Sequence, residues 1–156
     1  MKIQLSFLLL ISTLFFSSCS KQGPVFENYQ KFSQNSWDRF NQIIFNVPID
    51  DTEGDYEFSL IIKPTNDFPY ETMPVYVILK TTSGEERTNE VKIRIKDGGK
   101  FIGQKEGEPL VIKASLWKEL KISDKGKCRL SVENMVPKIQ TPGISEIGLI
   151  VEKVKN

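Results

Sequence analysis

Short runs of β-branched and aromatic residues, broken by turn residues at intervals of about ten positions, follow the N-terminal segment of this chain. Residues 56–62 place alternate apolar side chains on one face, and residues 91–96 alternate apolar with basic side chains. This alternation is typical of strands, and no long window keeps the helical period of roughly 3.6 residues. The sequence therefore predicts an all-β fold, an antiparallel two-sheet β-sandwich that is jelly-roll-like, with about eight or nine strands.

The strongest strand predictions fall on runs that turn residues bound on both sides: 42–47, 56–62, 75–79, 91–96, 110–112, 128–132 and 147–151. Residues 116–122 fit either one helical turn or a strand. We expect the closing strand, 147–151, to pair near the first strands and to join the two sheets.

The N-terminus has the pattern of a secretory signal that ends at a cysteine. Lys2 is followed by a mostly apolar run, residues 5–16, and two serines then precede Cys19. Such a run fits a signal h-region of about 7–15 residues and is shorter than the roughly 20 needed to cross a bilayer. We expect residues 1–18 to be removed and a lipid on Cys19 to anchor the protein to a membrane.

Cleavage at this position leaves enough chain for one compact domain. We expect residues 19–35 to form a lipidated N-terminus, a tether and a lead-in segment. Residues 36–156 then form a single β-sandwich domain. No internal repeat or low-complexity segment divides it further.

Charge and composition exclude several classes of function. The chain has 21 Lys and Arg residues against 20 Asp and Glu residues, and loss of Lys2 with the signal brings the two into balance. Nucleic-acid binding needs an excess of positive charge, so we expect no nucleic-acid partner. The chain has no histidine, which removes the commonest general base and metal ligand.

Motifs for catalysis are also missing, since the chain has no GxSxG, no phosphate-binding glycine loop and no CxxC. Cys128 alternates with Leu130 and Val132, which favours a buried, inert thiol over a catalytic or redox one. The acidic loop 50–55 fits a solvated turn better than a calcium site. We predict a protein that is not an enzyme, with no catalytic or metal-ligating residue, no cofactor and no small-molecule substrate.

Two features could form an interaction surface. Lys92, Arg94 and Lys96 make a basic row, which fits either a charged sheet edge or a docking surface for an acidic partner. The loop 66–70 carries two aromatic rings and a proline where a minimal turn would use Gly or Asn. Its rings could stack on a partner or a sugar, or could fold back and plug the end of the sandwich.

Trp37 and Trp117 fit core or sheet-edge anchors better than ligand platforms. With Trp37 added, the candidate interaction surface consists of Trp37, Asn66, Asp67, Phe68, Pro69 and Tyr70.

These motifs, in this order, carry a resemblance to a known family. The lipoprotein signal, the run 25–27, Trp37, the loop Asn-Asp-Phe-Pro-Tyr at 66–70 and the run Pro-Gly-Ile-Ser-Glu-Ile-Gly-Leu at 142–149 resemble the gliding-motility lipoprotein H family, GldH. The likeness covers essentially the whole chain after the signal. Family members usually have Tyr at the position of Phe68 and Arg at that of Lys63, so the chain resembles a divergent member.

The resemblance implies a membrane-anchored envelope lipoprotein that is a non-enzymatic component of a gliding-motility or secretion-associated assembly. Its partners would be other envelope or motility lipoproteins and proteins, and only Cys19 takes a role from the family, as the lipid attachment site. Residues 20–22 lack the acidic cluster that similar bacteria use to send lipoproteins outside, so we expect an outer-membrane protein facing the periplasm. The alternative is a carbohydrate- or peptide-binding β-sandwich lipoprotein, which exposed, coplanar rings in a groove would favour.

Overall fold

The computed structural model describes residues 23–103 and 107–154, and it contains strands and no helix over these ranges. These residues accordingly include no helix long and apolar enough to cross a membrane. The signal segment and Cys19 lie outside the described residues.

Eight long strands build two sheets, and four short strands build two ribbons. The first sheet contains β1 (Phe26–Lys31), β4 (Asp55–Pro64), β9 (Ile112–Lys121) and β12 (Ile144–Lys153). The second contains β3 (Ile43–Ile49), β5 (Thr72–Lys80), β6 (Glu86–Arg94) and β10 (Gly126–Asn134). The ribbons pair β2 (Ser36–Asp38) with β11 (Gln140–Pro142), and β7 (Lys96–Asp97) with β8 (Lys100–Phe101).

The strand order is that of a jelly roll. It is β1-β12-β4-β9 in the first sheet and β3-β10-β5-β6 in the second, and all described pairings are antiparallel. The predicted all-β sandwich is therefore confirmed. The predicted strand count is low, because the described residues form twelve strands. The ribbon strands, at two or three residues each, are too short to show alternation in sequence.

The N-terminal boundary of the sandwich lies earlier than residue 36. Residues 26–31, expected in the lead-in segment, form β1, which pairs with β12 from Phe26 opposite Val151 to Lys31 opposite Glu146. The closing strand, β12, thus lies between β1 and β4 and pairs with both. The open choice at residues 116–122 is settled as strand, because residues 116–121 belong to β9.

The core lies between the two sheets. Cys128 is fully buried and free, and burial raises the pKa of its thiol, with Asp124 adding to the rise. The thiol is therefore protonated and inert at neutral pH. The remaining inward-facing side chains are apolar and include Phe45, Val47, Phe58, Leu60, Ile62, Val75, Val77, Leu79, Leu130, Val132, Ile147, Leu149 and Val151.

The strands run between two ends of the sandwich. At the proximal end the described chain begins, and the Val25 N–H donates to the Val151 carbonyl at 2.8 Å. The loops 50–54, 81–85 and 122–125 also lie there. The distal end holds the turn 39–42, the loop 65–71 and the segment 135–139. Strand β12, with 10 residues, separates the two ends by about 33 Å.

Candidate functional site

The aromatic loop 65–71 closes the distal end of the core. Phe68 is fully buried, its N–H donates to the Thr65 carbonyl at 3.1 Å, and its ring meets that of Tyr70 edge-on at 5.7 Å. Asn66, Asp67 and Pro69 are exposed, and Tyr70 is half-buried. Phe68 thus lies inside the fold, and the rest of the loop forms surface.

The two sequence motifs that most resemble the gliding-motility family contact each other here. Gly143 adopts a φ of +78°, its N–H donates to the Asn35 carbonyl at 2.8 Å, and its carbonyl accepts from the Thr65 N–H at 2.8 Å. A Cβ at this position would overlap the backbone N and Cα of Phe68. Only glycine therefore fits at position 143, where the backbone before β12 contacts the aromatic loop 65–71. The two motifs form one structural unit.

Trp37 is also buried and supports the neighbouring turn. Its ring stacks on Phe32 with centroids 5.9 Å apart, and its Nε1–H donates to the Asn41 carbonyl at 2.8 Å. This bond fixes the turn 39–42, which carries exposed side chains. Trp37 therefore supports the turn 39–42 from inside the fold and is not itself exposed.

The Asn134 side chain makes hydrogen bonds that connect several elements of the distal end, and the sequence analysis did not single it out. The side chain is buried, and its Nδ2 donates to Thr141 Oγ1 at 2.8 Å and to the Trp37 carbonyl at 3.3 Å. Its Oδ1 accepts the Val136 N–H at 3.0 Å. One amide thus joins the end of β10, the ribbon of β2 and β11, and the segment 135–139.

The predicted basic row is only partly a surface feature. Lys92 and Arg94 are exposed on β6, which is the edge strand of the second sheet within the described chain. Lys96 instead donates to the Phe68 carbonyl and lies over the Phe101 ring, 4.6 Å from its centroid. Lys96 therefore stabilises the aromatic loop.

Among residues 23–103 and 107–154, the most exposed large apolar side chains lie at this end. Phe40 is 81% exposed and Ile139 is 67% exposed. The Arg39 N–H donates to the Ile139 carbonyl at 2.8 Å, which brings the two apolar residues into adjacent backbone segments. Met135, also exposed, begins the same segment, 135–139.

An apolar groove of about 440 Å³ continues from this segment. The Met135 N–H donates to the Pro74 carbonyl at 3.0 Å, which joins the segment 135–139 to the first residues of β5. The groove therefore lies between the aromatic loop and the segment 135–139. Its lining residues are Pro69, Tyr70, Glu71, Thr72, Pro74, Val136 and Pro137.

The aromatic rings considered for sugar stacking do not form a shared platform. Trp37 and Phe68 are buried, and Trp117 is half-buried with its ring edge-on to Phe58 at 5.9 Å. A sugar needs an exposed ring face, which neither Trp37 nor Phe68 offers.

Comparison with known proteins identifies the family. Residues 24–151 match the GldH lipoprotein family, a span that includes the aromatic loop, Gly143 and most of the sandwich. The chain belongs to this family. A relative, the gliding motility lipoprotein GldH of Flavobacterium johnsoniae, is 22% identical over 161 aligned positions, which cover 98% of this chain and 99% of the relative. The resemblance read from the sequence motifs is confirmed, and so is the divergence.

Among solved structures, TmCBM61 in complex with β-1,4-galactotriose overlaps 82% of this chain and 82% of its own length. The sequence identity is 11% and the TM-score is 0.41. An overlap this loose supports no conclusion about a ligand.

A second polar cluster in this GldH-family chain lies on the outer face of the first sheet. The Tyr29 ring packs over Gly148, and Lys63 Nζ lies 4.5 Å from the centre of that ring. Lys63 also pairs with Glu146 at 2.6 Å, which lowers the pKa of this carboxyl. Burial, followed by the hydrogen bond to Glu27, raises the pKa of Tyr29 to about 12. These groups satisfy one another and hold β1 against β12.

The acidic loop 50–54 of the proximal end is also occupied by its own neighbours. Lys153 donates to the Asp51 carboxylate and, with the Glu53 N–H at 2.8 Å, lowers the pKa of Asp51. The Tyr56 hydroxyl donates to the Asp51 carbonyl. Within residues 23–103 and 107–154, no three Cys, Asp or Glu side chains gather closely enough to hold a metal.

Proposed function

We propose that this GldH-family protein is a lipid-anchored component of the bacterial cell envelope and a non-enzymatic part of a gliding-motility or secretion-associated assembly. The observation that carries the proposal is the family match over residues 24–151, which spans nearly the whole sandwich. The relative that aligns over 99% of its own length is itself named a gliding motility lipoprotein.

The anchor in this proposal is a lipid on Cys19, exposed by removal of residues 1–18. Five residues, 20–24, lie between Cys19 and Val25, where the described chain joins the first sheet. An extended chain of this length spans at most about 21 Å. The proximal end of the sandwich is thereby held near the membrane, which we assign to the outer membrane with the domain in the periplasm.

Protein docking, rather than catalysis or sugar binding, is the activity that the distal end supports. Trp37 and Phe68 are buried, while Phe40 and Ile139 are exposed, and the backbone next to Phe40 bonds the Ile139 carbonyl through the Arg39 N–H. An exposed apolar patch rimmed by polar residues marks a contact site for another protein. A lipid anchor at one end and a contact surface at the other fit a structural component of an assembly.

The anchor is tested by Cys19→Ala in the natural host. We expect the variant to lose labelling by a radioactive fatty acid and to appear in the soluble fraction, because no second lipid site is proposed. Cys128→Ala is the matched control, since it removes the other cysteine, and it should remain labelled and membrane-bound. A Cys19→Ala protein that stays labelled or membrane-bound would refute the anchor.

The motility role is tested by deleting the gene in a host that glides. We expect loss of surface spreading, restored by the wild-type gene and not by the Cys19→Ala gene. Normal spreading of the deletion strain would contradict the role, whatever the outcome of the lipid labelling.

A further inference from the structure

Strand β1 is the first strand after the tether, and its hydrogen-bonding neighbour in the first sheet is β12. All six residues of β1 pair with β12. The Val25 N–H bonds the Val151 carbonyl at 2.8 Å just before β1, and the Phe32 N–H bonds the Ser145 carbonyl at 2.9 Å just after it. Tension in the tether therefore enters the sandwich through the contact between β1 and β12.

The direction of such tension decides how the backbone hydrogen bonds are loaded. The tether meets the domain at the proximal end, so a pull from the membrane acts on Val25 along β1 and away from the sandwich. Hydrogen bonds between antiparallel strands lie perpendicular to the strands. A pull along β1 strains all of these bonds together, whereas a pull across the strands opens them one at a time from the end. The contact between β1 and β12 is thus loaded in shear.

An aromatic ring on the outer face of the first sheet fixes the register of this contact. Tyr29 lies directly opposite Gly148, and a Cβ on residue 148 would be 2.4 Å from two carbons of the Tyr29 ring. The ring therefore fills the space that a side chain at position 148 would need. Lys63 Nζ of β4 lies 4.5 Å from the ring centre and also bonds Glu146 of β12 at 2.6 Å. Tyr29 is thus held over the glycine by groups of both neighbouring strands.

The side chains that flank Gly148 oppose sliding of β1. Residues on one face of a strand recur at every second position, so Glu146 and Ile150 lie on either side of Gly148 on the outer face. Ile150 is the neighbour toward the proximal end, since Val151 lies opposite the start of β1. If β1 slid toward the membrane by two positions, the Tyr29 ring would come opposite Ile150. The ring would then have to lift off the sheet, because it already leaves no room for a single Cβ.

Burial alone attaches β1 weakly, because the strand is short and four of its six residues are exposed. Two half-buried aromatic residues supply its main side-chain contacts. Phe26 meets the Phe45 ring of the second sheet edge-on at 6.4 Å, and Tyr29 packs over Gly148 on the opposite face. The Tyr29 contact is the one whose geometry opposes a pull along the strand.

We propose that the pairing of β1 with β12 is a mechanical clamp that carries load from the lipid anchor into the sandwich. The Tyr29 ring, held over Gly148 and blocked by Ile150, prevents β1 from sliding. The shear geometry makes the paired backbone bonds resist together. This inference rests on the proposed function, because the load arises between a membrane anchor and a motility or secretion assembly.

The clamp is tested by stretching single molecules of the mature chain, residues 19–156, in optical tweezers. In the shear geometry, one handle is attached to the Cys19 thiol and the other to Ile139→Cys, at an exposed distal position. In the opening geometry, the second handle is at Val154→Cys, directly after β12, so that the pull separates the two strands from their ends. Cys128 is buried and takes no handle. We expect the wild-type contact to withstand roughly threefold more force in shear.

Substitutions on the outer faces of the sheets identify the groups that resist. Tyr29→Ala should lower the shear force roughly twofold, and Tyr29→Phe, which keeps the ring, should retain the wild-type force. Ile150→Ala should lower the shear force and leave the opening force unchanged. The matched control is Ile78→Ala, which trims an equally half-buried isoleucine on the outer face of the second sheet. It should change neither force.

Equal forces in the two geometries, or a Tyr29→Ala chain as resistant as the wild type, would overturn the clamp. A Tyr29→Phe chain as weak as Tyr29→Ala, or an Ile150→Ala chain that loses no more force than Ile78→Ala, would do the same. Lipid labelling of Cys19 is measured separately in the host, so a weak shear contact in a correctly labelled protein refutes the clamp alone. A resistant contact in a protein that stays membrane-bound as Cys19→Ala refutes the anchor alone.

Discussion

The two ends of the sandwich satisfy their surface groups in different ways. At the proximal end, Asp51 bonds Lys153, the Tyr56 hydroxyl bonds the Asp51 carbonyl, and Ser83 donates to Asp124. These loops are polar, and their charged side chains bond to neighbouring groups of the same end. At the distal end, the polar side chain of Asn134 is buried, whereas the apolar side chain of Phe40 is exposed.

This difference supports the proposed assignment of the distal end as the contact surface for a partner. A loop whose charges are paired internally gains little from a second protein, because binding would first have to break those pairs. Exposed apolar residues above a buried hydrogen-bond network gain from being covered. Under the proposed function, rigidity at the distal end would serve binding, and bonding at the proximal end would stabilise the fold next to the tether.

The largest effect on this comparison should come from Gly143→Ala. The new methyl group would overlap the Phe68 backbone, and alanine disfavours a φ of +78°. We expect a loss of about 4 kcal/mol in the free energy of unfolding, measured with urea.

Gly84→Ala at the proximal end is the matched control. Gly84 also has a positive φ, +91°, but a Cβ there meets nothing within 4 Å. The Gly84→Ala substitution should lower the free energy of unfolding by roughly 1 kcal/mol, from backbone conformation alone. Equal losses in the two variants would show that the close contact between Gly143 and Phe68 does not add to the cost of the substitution. The difference drawn here between the two ends would then be wrong.

A smaller effect should follow from Asn134→Ala. The change leaves the buried Val136 N–H and Thr141 hydroxyl without their partner, which should cost about 2–3 kcal/mol. Hydrogen exchange should accelerate at Val136 and Asn41 and stay unchanged at Tyr56, because the network belongs to the distal end.

Asn46→Ala provides the control for this network. Asn46 is an exposed amide on β3, and its removal should change neither the free energy of unfolding nor the exchange of Val136. Faster exchange at both ends of the Asn134→Ala protein would mean that the ends do not behave separately, which would contradict the comparison.

The fold was largely predictable because its signal is local. Alternation at residues 56–62 and 128–132 places one face of each strand inside, and the structure buries those faces. Strand β1 was missed because Phe26–Lys31 is mostly polar and exposed. It is an edge strand whose pairing depends on β12, more than a hundred residues later in the chain.

The distal site was only partly predictable because its parts come from distant positions. The loop 66–70 stood out by its unusual aromatic content, but the sequence could not decide which rings are buried. Asn134 bonds the Trp37 carbonyl across 97 positions, and no local pattern marks such a pair. Phe40 and Ile139 are single apolar residues in turns, so they leave no periodic signal.

The smallest effect should come from Asp51→Asn, which tests the proximal end by pH. The hydrogen bond from Lys153, followed by the Glu53 N–H, lowers the pKa of Asp51 in the folded protein. The folded state then binds this proton less readily than the unfolded state does, so the stabilisation is present above the ordinary pKa of about 3.9. It is lost as the pH falls through the lowered pKa of the folded state.

We therefore expect the urea midpoint of the wild-type protein to fall on acidification partly through Asp51, and Asp51→Asn to flatten this slope. Asn46→Ala, which removes an exposed amide that does not titrate, should keep the wild-type slope. Asn134→Ala should lower the midpoint equally at each pH, because none of the groups in its network titrates. If Asn134→Ala changed the slope and Asp51→Asn did not, the roles assigned to the two ends would be reversed.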